Sequence, residues 1–391
     1  MVDPISRFIF CLPPFVRLVV VLTGAVIIHL TIGTYHTFGN MLPYMASYMR
    51  NYTDPTIRIE HFMWIPTFQD SHLGCFPFSM VIGGTLALHV GPRMAALIGC
   101  AIATSSVALS FWTIKHSFFA FFITYGVLFG FGQGIAYVTA VATVINWAPE
   151  KVGLVSGIVA AGFGISSSIF APIQTHLINP YNLPSTKDGY FLDKDLLNRV
   201  PDVFLTLATV YAIMQLIGLI VVCDPPVKQI SEELLSRWVC KWPICFLKWT
   251  ELFFSGMSLR PLEILSSSTF YVLFTALFCC SFYANMFYNL YKTFAETFVD
   301  DDFFLARAFA VGSVANAIAR IAWGYLTDRT SFQVTMFHTP YHVRLLILCL
   351  VNVIANWTFL HVVFLIQLDK LWEISAAIWF NLGSALENRV H

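Results

Sequence analysis

Ten stretches of mostly apolar residues, at about 16–38, 73–90, 93–112, 118–141, 152–174, 203–223, 269–290, 303–326, 343–366 and 371–385, divide this chain of 391 residues. Most approach the roughly 20 residues that carry a helix across a bilayer. In hydrocarbon every backbone N–H and C=O needs a partner within the protein, which leaves helices and closed barrels as spanning structures. Runs of this length predict helices. Charge agrees: 11% of the residues are charged and 57% hydrophobic, against about 25% charged in soluble domains. The expected fold class is all-α and polytopic, with the lipid bilayer as its surroundings.

The longest polar gap, 224–267, follows the sixth span and mixes bases with acids. It divides the chain into a six-helix bundle at 1–223, a cytoplasmic linker at 224–267, and a second bundle at 268–391 with about four helices where six are expected. Six spans, a central linker and further spans suggest two six-helix halves. Arg7 and Arg17 flank the first apolar run without a small-residue cleavage site, so the first span is expected to act as its own insertion signal. The even-numbered turns share a side with the N-terminus and the linker. That side carries Arg93, Lys151 and Arg329, while Lys115, Lys292 and Arg307 fall in the opposite loops. A small excess of Lys and Arg favours a cytoplasmic N-terminus. The acceptor pattern Asn51-Tyr52-Thr53 in the first outside loop agrees, although such tripeptides also arise by chance, as Asn356-Trp357-Thr358 within a span illustrates. Plasma and organelle membranes are not distinguished.

A net charge of zero gives no reason to expect nucleic acid as a partner. Most of the nine cysteines (Cys75, Cys100, Cys223, Cys279, Cys280 and Cys349 among them) sit in apolar runs and read as small buried hydrophobes. His116 and His176 stand apart, and Thr339-Pro340 breaks the helix that His338 and His342 need to share a metal. No nucleophile, metal or cofactor site is predicted, so an enzyme is not expected.

One charge interrupts the eighth span. Arg320 lies eight residues before Asp328, about 12 Å along a helix. A charge at a helix centre costs roughly 2.5–3.5 kcal/mol even on the lenient insertion scale. One reading is a clamp for a carboxylate, which a guanidinium grips through two parallel hydrogen bonds. The other is a structural ion pair, which the lack of an evident acid in the other spans disfavours. Asn316, one turn earlier, either bonds substrate, orients the arginine, or links helices. His29, His36 and Asn40 share one stripe of the first span. His36 either titrates or is a satisfied packing residue. Gln133 and Tyr137 form a similar pair on the fourth span, and Tyr283, Asn285, Tyr288 and Asn289 crowd the end of the seventh.

The residues that follow Arg320 resemble a signature of the major facilitator superfamily: Gly324, Leu326, Asp328 and Arg329 in the order Gly-x-Leu-x-Asp-Arg. A degraded copy runs from Gly84 through Leu86 and Gly91 to Arg93, with Leu88 and His89 where Asp and Arg stand in the signature. The resemblance assigns Gly84, Gly91, Arg93, Gly324, Asp328 and Arg329 to gating turns in two repeated halves. The block Gly130-x-Gly132-x-Gly134, Tyr137, Trp147-x-Pro149, Gly153, Gly157 and Gly162-x-Gly164 is similar to the fourth and fifth helices of the monocarboxylate transporter and oxalate–formate antiporter branch. Its glycines read as close helix contacts. Arg320 matches the substrate arginine of that branch. Asn40 and Asn316 stand where proton-linked members place a lysine and an aspartate, which leans towards the antiporter type. The resemblance implies the major facilitator fold with a shortened second bundle. It also implies alternating-access transport of a small organic anion, a monocarboxylate or dicarboxylate, at Arg320, Asn316, Asn40, His36, Gln133 and Tyr137. A rival expectation is a truncated or splice-variant membrane protein without transport, acting as a regulatory or structural partner. An accessory membrane protein is left open.

Overall fold

A computed structural model describes residues 4–70, 75–186, 188–226, 289–296 and 301–330, together with 271 and 299. The predicted ninth and tenth spans, most of the seventh and most of the linker, with Tyr283, Asn285, Tyr288, His338, His342 and Asn356, lie outside these residues.

Among the described residues all regular structure is helical. Among the described residues six helical stretches are long and apolar enough to cross a membrane: Pro14–Tyr52, Pro92–His116, Phe118–Trp147, Val152–Ile178, Lys194–Val221 and Asp302–Leu326. A shorter apolar helix covers Phe78–Val90. The protein is a multi-pass integral membrane protein. Helices α1 (Pro4–Phe10), α2 (Pro14–Ile32) and α3 (Phe38–Tyr52) open the chain, with a 3₁₀ segment at Gly33–Thr37 joining the last two. Two short helices, α4 (Ile59–Phe62) and α5 (Trp64–Asp70), precede α6 (Cys75–Val90) and α7 (Pro92–His116). Then follow α8 (Phe118–Phe121), a π-wound stretch at Phe122–Leu128, α9 (Phe129–Trp147), α10 (Val152–Ile178), α11 (Lys194–Val221) and α12 (Asp302–Thr330).

Local chemistry sets several boundaries. Pro14 and Pro92 sit in the first turns of α2 and α7, where a missing N–H does no harm. Gly91, at φ 88°, makes the left-handed turn between α6 and α7 that a side chain would resist. Asp193 caps α11 by accepting from the Leu196 N–H at 2.8 Å.

The first span is longer than its apolar run predicts. Residues 38–49 are all buried although they include Asn40, Pro43, Tyr44, Ser47 and Tyr48. Asn51, predicted in an outside loop, is instead helical, and its amide donates to the Ser47 carbonyl at 2.9 Å.

Helix α10 occupies the middle of the described structure, packed along one face by α12 and along another by α2 and the 3₁₀ segment. At the α2–α10 crossing Gly33 has no room for a side chain: an added Cβ would lie 2.2 Å from the Phe163 carbonyl oxygen. Overpacking a tight contact typically costs about 1–3 kcal/mol. Gly33→Ala is therefore expected to lower the thermal unfolding midpoint in detergent, whereas Gly84→Ala, where nothing lies within 4 Å, should leave it unchanged. On the outside, α11 exposes Ile213, Leu216, Ile217 and Ile220, a face suited to lipid.

Described residues that follow the first, third, fifth and seventh spans meet at one end, called the odd end below: Thr53 bonds Ile114, Ile59 bonds Tyr190 and Asn182 bonds Asp301. At the other, even end, Arg93 meets Val222, Asn146 meets Asp224 and Gly153 meets Asp328.

Candidate functional site

Two residues of α12 carry the polar centre. Arg320 Nε donates to Asn316 Oδ1 at 2.8 Å, one helical turn away, and Arg320 Nη1 donates to the Ala160 carbonyl of α10 at 3.2 Å. Asn316 is 7% exposed and Arg320 half-buried. Gly164 makes room for the guanidinium, since a Cβ there would stand 3.3 Å from Arg320 Nε and 3.6 Å from Asn316 Oδ1. Among the described residues no carboxylate lies within ion-pair distance of Arg320; the ion pairs are those of Lys292.

Beside Gly164, the Phe163 ring meets His36 at 5.0 Å, Tyr137 at 5.4 Å and His29 at 6.4 Å between centroids. His29 and Tyr137 are 4.7 Å apart. The His29 Nδ1 contacts the Ala25 carbonyl at 2.9 Å, and its buried Nε2 has no hydrogen-bond partner among the described residues. Arg320, Asn316, His36 and Tyr137 therefore gather around one stretch of α10, joined by His29.

The other two predicted members go elsewhere. The Gln133 amide donates to the Ile32 carbonyl at 3.2 Å and ties α9 to α2. Asn40 lies farther along α10, where its amide donates to the Ala171 carbonyl at 3.2 Å and to Thr175 Oγ1 at 3.1 Å. Eight residues of helix between Phe163 and Ala171 amount to about 12 Å, so Asn40 and Arg320 occupy different levels of the bundle.

The two signature copies are built differently. In the second half, Asp328 accepts from the Gly153 and Leu154 N–H groups, both at 2.7 Å, and so caps the first turn of α10. A carboxylate there satisfies two unpaired donors and the positive end of the helix dipole. Gly324 permits the approach, since its added Cβ would lie 2.2 Å from the Gly153 carbonyl oxygen. Arg329 lies over the Tyr325 ring at 5.1 Å. In the first half, Arg93 donates to the Ile220 and Val222 carbonyls at 3.0 and 3.1 Å. It thereby closes the C-terminal end of α11, while Leu88 is fully outside, 86% exposed. The intact copy joins α12 to α10, and the degraded copy joins α7 to α11.

A second polar cluster was not predicted. Lys292, assigned above to a loop, is a helical residue with its side chain 0% exposed. Its Nζ lies 2.6 Å from Asp302 Oδ1 and donates to the Asn40 carbonyl and side-chain oxygens at 3.3 Å each. Asp302, the first residue of α12, also accepts from Asn179 at 2.9 Å and from the Tyr44 hydroxyl. Asp302 opens the span of Arg320 itself and is not one of the other spans' residues, where no acid was evident. That acid does not neutralise Arg320, however: 18 residues separate them on one helix, about 27 Å. The available sequence signals were the four-residue spacing of Lys292 and Glu296 and an acid opening an apolar run.

The family model for the Major Facilitator Superfamily matches residues 21–388. Apicoplast pyruvate carrier 1 of Toxoplasma gondii is 25% identical over 375 residues, which cover 80% of this chain and 68% of that carrier. Monocarboxylate transporter 12 of Homo sapiens is 31% identical over 121 residues, 30% of this chain and 22% of the transporter. The oxalate:formate antiporter of Oxalobacter formigenes is 33% identical over 99 residues, 25% of this chain and 22% of the antiporter.

Proposed function

Because this chain belongs to the Major Facilitator Superfamily, a superfamily of carriers rather than enzymes, we propose that it moves a small organic anion across a membrane, with Arg320 taking the carboxylate. The observation that carries this reading is a half-buried guanidinium inside a span with a neutral amide and a backbone carbonyl as partners and no carboxylate among the described residues. A partly desolvated positive charge with no counter-ion among the described residues suits an anion, and a planar carboxylate matches its fork. The relatives' names, for pyruvate, monocarboxylates, and oxalate with formate, share that chemistry.

In this reading Asn316 holds the guanidinium plane, and His36, His29 and Tyr137 offer polar edges to the rest of the anion around Phe163. Gln133 and Asn40 act at a distance, by fixing the first span against α9 and α10. Alternating access follows from rocking α12 against α10 at the level of Arg320. The Asp328 cap closes the even end, which a cytoplasmic N-terminus places on the cytosolic side of the membrane.

The test is counterflow in vesicles that contain the purified protein. Unlabelled acid inside should accelerate entry of a labelled carboxylate, with competition by anions of like size and none by the matching amide or alcohol. Equal competition by the neutral analogues would overturn the anion reading.

A further inference from the structure

The cluster at the odd end holds more acid than its cation satisfies. The Lys292 ammonium has three N–H groups, and Asp302 Oδ1 with the two oxygens of Asn40 accounts for three directions. Asp302 Oδ2 is taken by Asn179 and Tyr44. Glu296 remains. Its side chain is 5% exposed, the nearer oxygen lies 4.0 Å from Lys292 Nζ, and neither oxygen has a hydrogen-bond partner among the described residues. The surrounding groups are Lys292 and Tyr291 on its own helix, Asp302 on α12 and Tyr44 on α3. From the loop between α10 and α11 the neighbour is Gly189, whose added Cβ would lie 4.0 Å from Glu296 Oε2; Asp188 beside it is exposed. Two buried carboxyl groups thus share one ammonium.

We propose that Glu296 is a proton-binding site and that its proton holds closed the contact between the two halves at the odd end. With Glu296 neutral, one ammonium and one carboxylate balance, and Lys292 stays on Asn40 and Asp302. Both ends of that link are inter-half contacts: Lys292 and Asp302 come from beyond the linker, Asn40, Tyr44 and Asn179 from before it. Loss of the proton to water at the odd end leaves a second buried carboxylate. It competes for Lys292 and draws it from Asn40, and the uncompensated charge is relieved only when water enters, which means opening that end. A sodium ion is disfavoured as the occupant because the ammonium already holds the position on Asp302 Oδ1. Glu296 lies in the connection between the seventh and eighth spans, and its environment agrees with the geometry. Burial pushes its carboxyl from 4.5 up to about 8, with Lys292 opposing the rise and Asp302 adding to it.

This inference does not rest on Arg320 or on the identity of a cargo, and its test needs no transport. Hydrogen–deuterium exchange of the purified full chain, wild type against Glu296→Gln, is compared at matched pH so that intrinsic exchange chemistry cancels. At pH 4.5 and below, where Glu296 carries its proton whether the end is open or closed, peptides from 38–52 and 302–312 should exchange alike in the two proteins. As pH rises from about 4.5 the wild type should exchange increasingly faster than the variant in these peptides, by up to about tenfold per pH unit, and the excess should level off above about 8. If Glu296→Gln does not fold, the wild type alone decides: the ratio of odd-end exchange to that of peptides from 152–164 should rise with pH from about 4.5 and level off above about 8, equally in sodium and choline buffers. The stability sign provides a second readout. A carboxyl raised in the folded state is fully accommodated below about 4.5, and stability is lost as pH climbs through about 8; this slope should vanish in the glutamine variant. Equal exchange of the two proteins at pH 9, a flat wild-type ratio, or a ratio that follows sodium instead of pH would each overturn the proposal.

Discussion

Arg320→Gln is expected to reduce carboxylate exchange by about 100-fold or more while the protein still folds and reaches the membrane. Removing one partner of a buried, hydrogen-bonded charge contact costs about 2–5 kcal/mol, and each 1.4 kcal/mol is tenfold. Here the lost partner is the cation that the substrate's carboxylate meets. Folding should survive because the native contacts of Arg320 are modest: a glutamine amide still has a donor for the Ala160 carbonyl or Asn316, and the substitution removes a half-buried charge instead of creating one. Arg320→Lys separates charge from shape. It keeps the charge and loses the planar fork, so activity should fall between the wild type and the glutamine variant, chiefly through a raised KM. Initial exchange rates across a substrate series, normalised to protein in the vesicles and read beside the unfolding midpoint, check both. An Arg320→Gln protein that exchanges at the wild-type rate would remove Arg320 from the substrate path.

The contrast between Arg320 and Lys292 shows what a sequence of this kind exposes and what it conceals. Arg320 is conspicuous because its neighbours in the chain are apolar, and its bond to Asn316 is a local, one-turn contact that spacing alone predicts. Lys292 stands among polar residues after an apolar run, where the ordinary expectation is a solvated loop. Its burial depends on Asn40 and Tyr44, more than 240 residues earlier. The same limit applies to the first span. Its apolar half, to about residue 38, is readable, but the continuation through Tyr52 buries amides, hydroxyls and tyrosines against α10 and α11, and hydropathy scores such residues as exposed. The stripe of His29, His36 and Asn40 is visible as a pattern. Its division between two levels of α10 is not, because it follows from where Gly33 lets α2 cross Phe163. The glycines of the fourth and fifth helices read correctly as close contacts, while their partners (Gly324 for Gly153, Arg320 for Gly164) emerge only with the tertiary fold.

At the even end the contact between the halves is a charge on a helix terminus, and its removal has a calculable result. Asp328 places one oxygen on each of two N–H groups at the start of α10. An asparagine retains one acceptor, loses the full charge opposite the helix dipole, and turns an amide donor towards the second N–H. Charge–terminus interactions in partly buried geometry reach about 2 kcal/mol, so Asp328→Asn is expected to make opening of the even end about tenfold more frequent, read as faster hydrogen exchange in peptides from 152–164 with the odd-end peptides unchanged. Gly324→Ala attacks the same contact by volume. Its Cβ would fall 2.2 Å from the Gly153 carbonyl oxygen, backbone that moves only if the helices separate, so it should open this end further than Asp328→Asn does. The two substitutions share one contact, and combining them should give little beyond Gly324→Ala alone, since neighbours that act through one interface do not add. Full additivity in the double variant would mean that the carboxylate cap and the glycine contact are separate devices. Unchanged exchange at 152–164 in both single variants would mean that neither holds the even end shut.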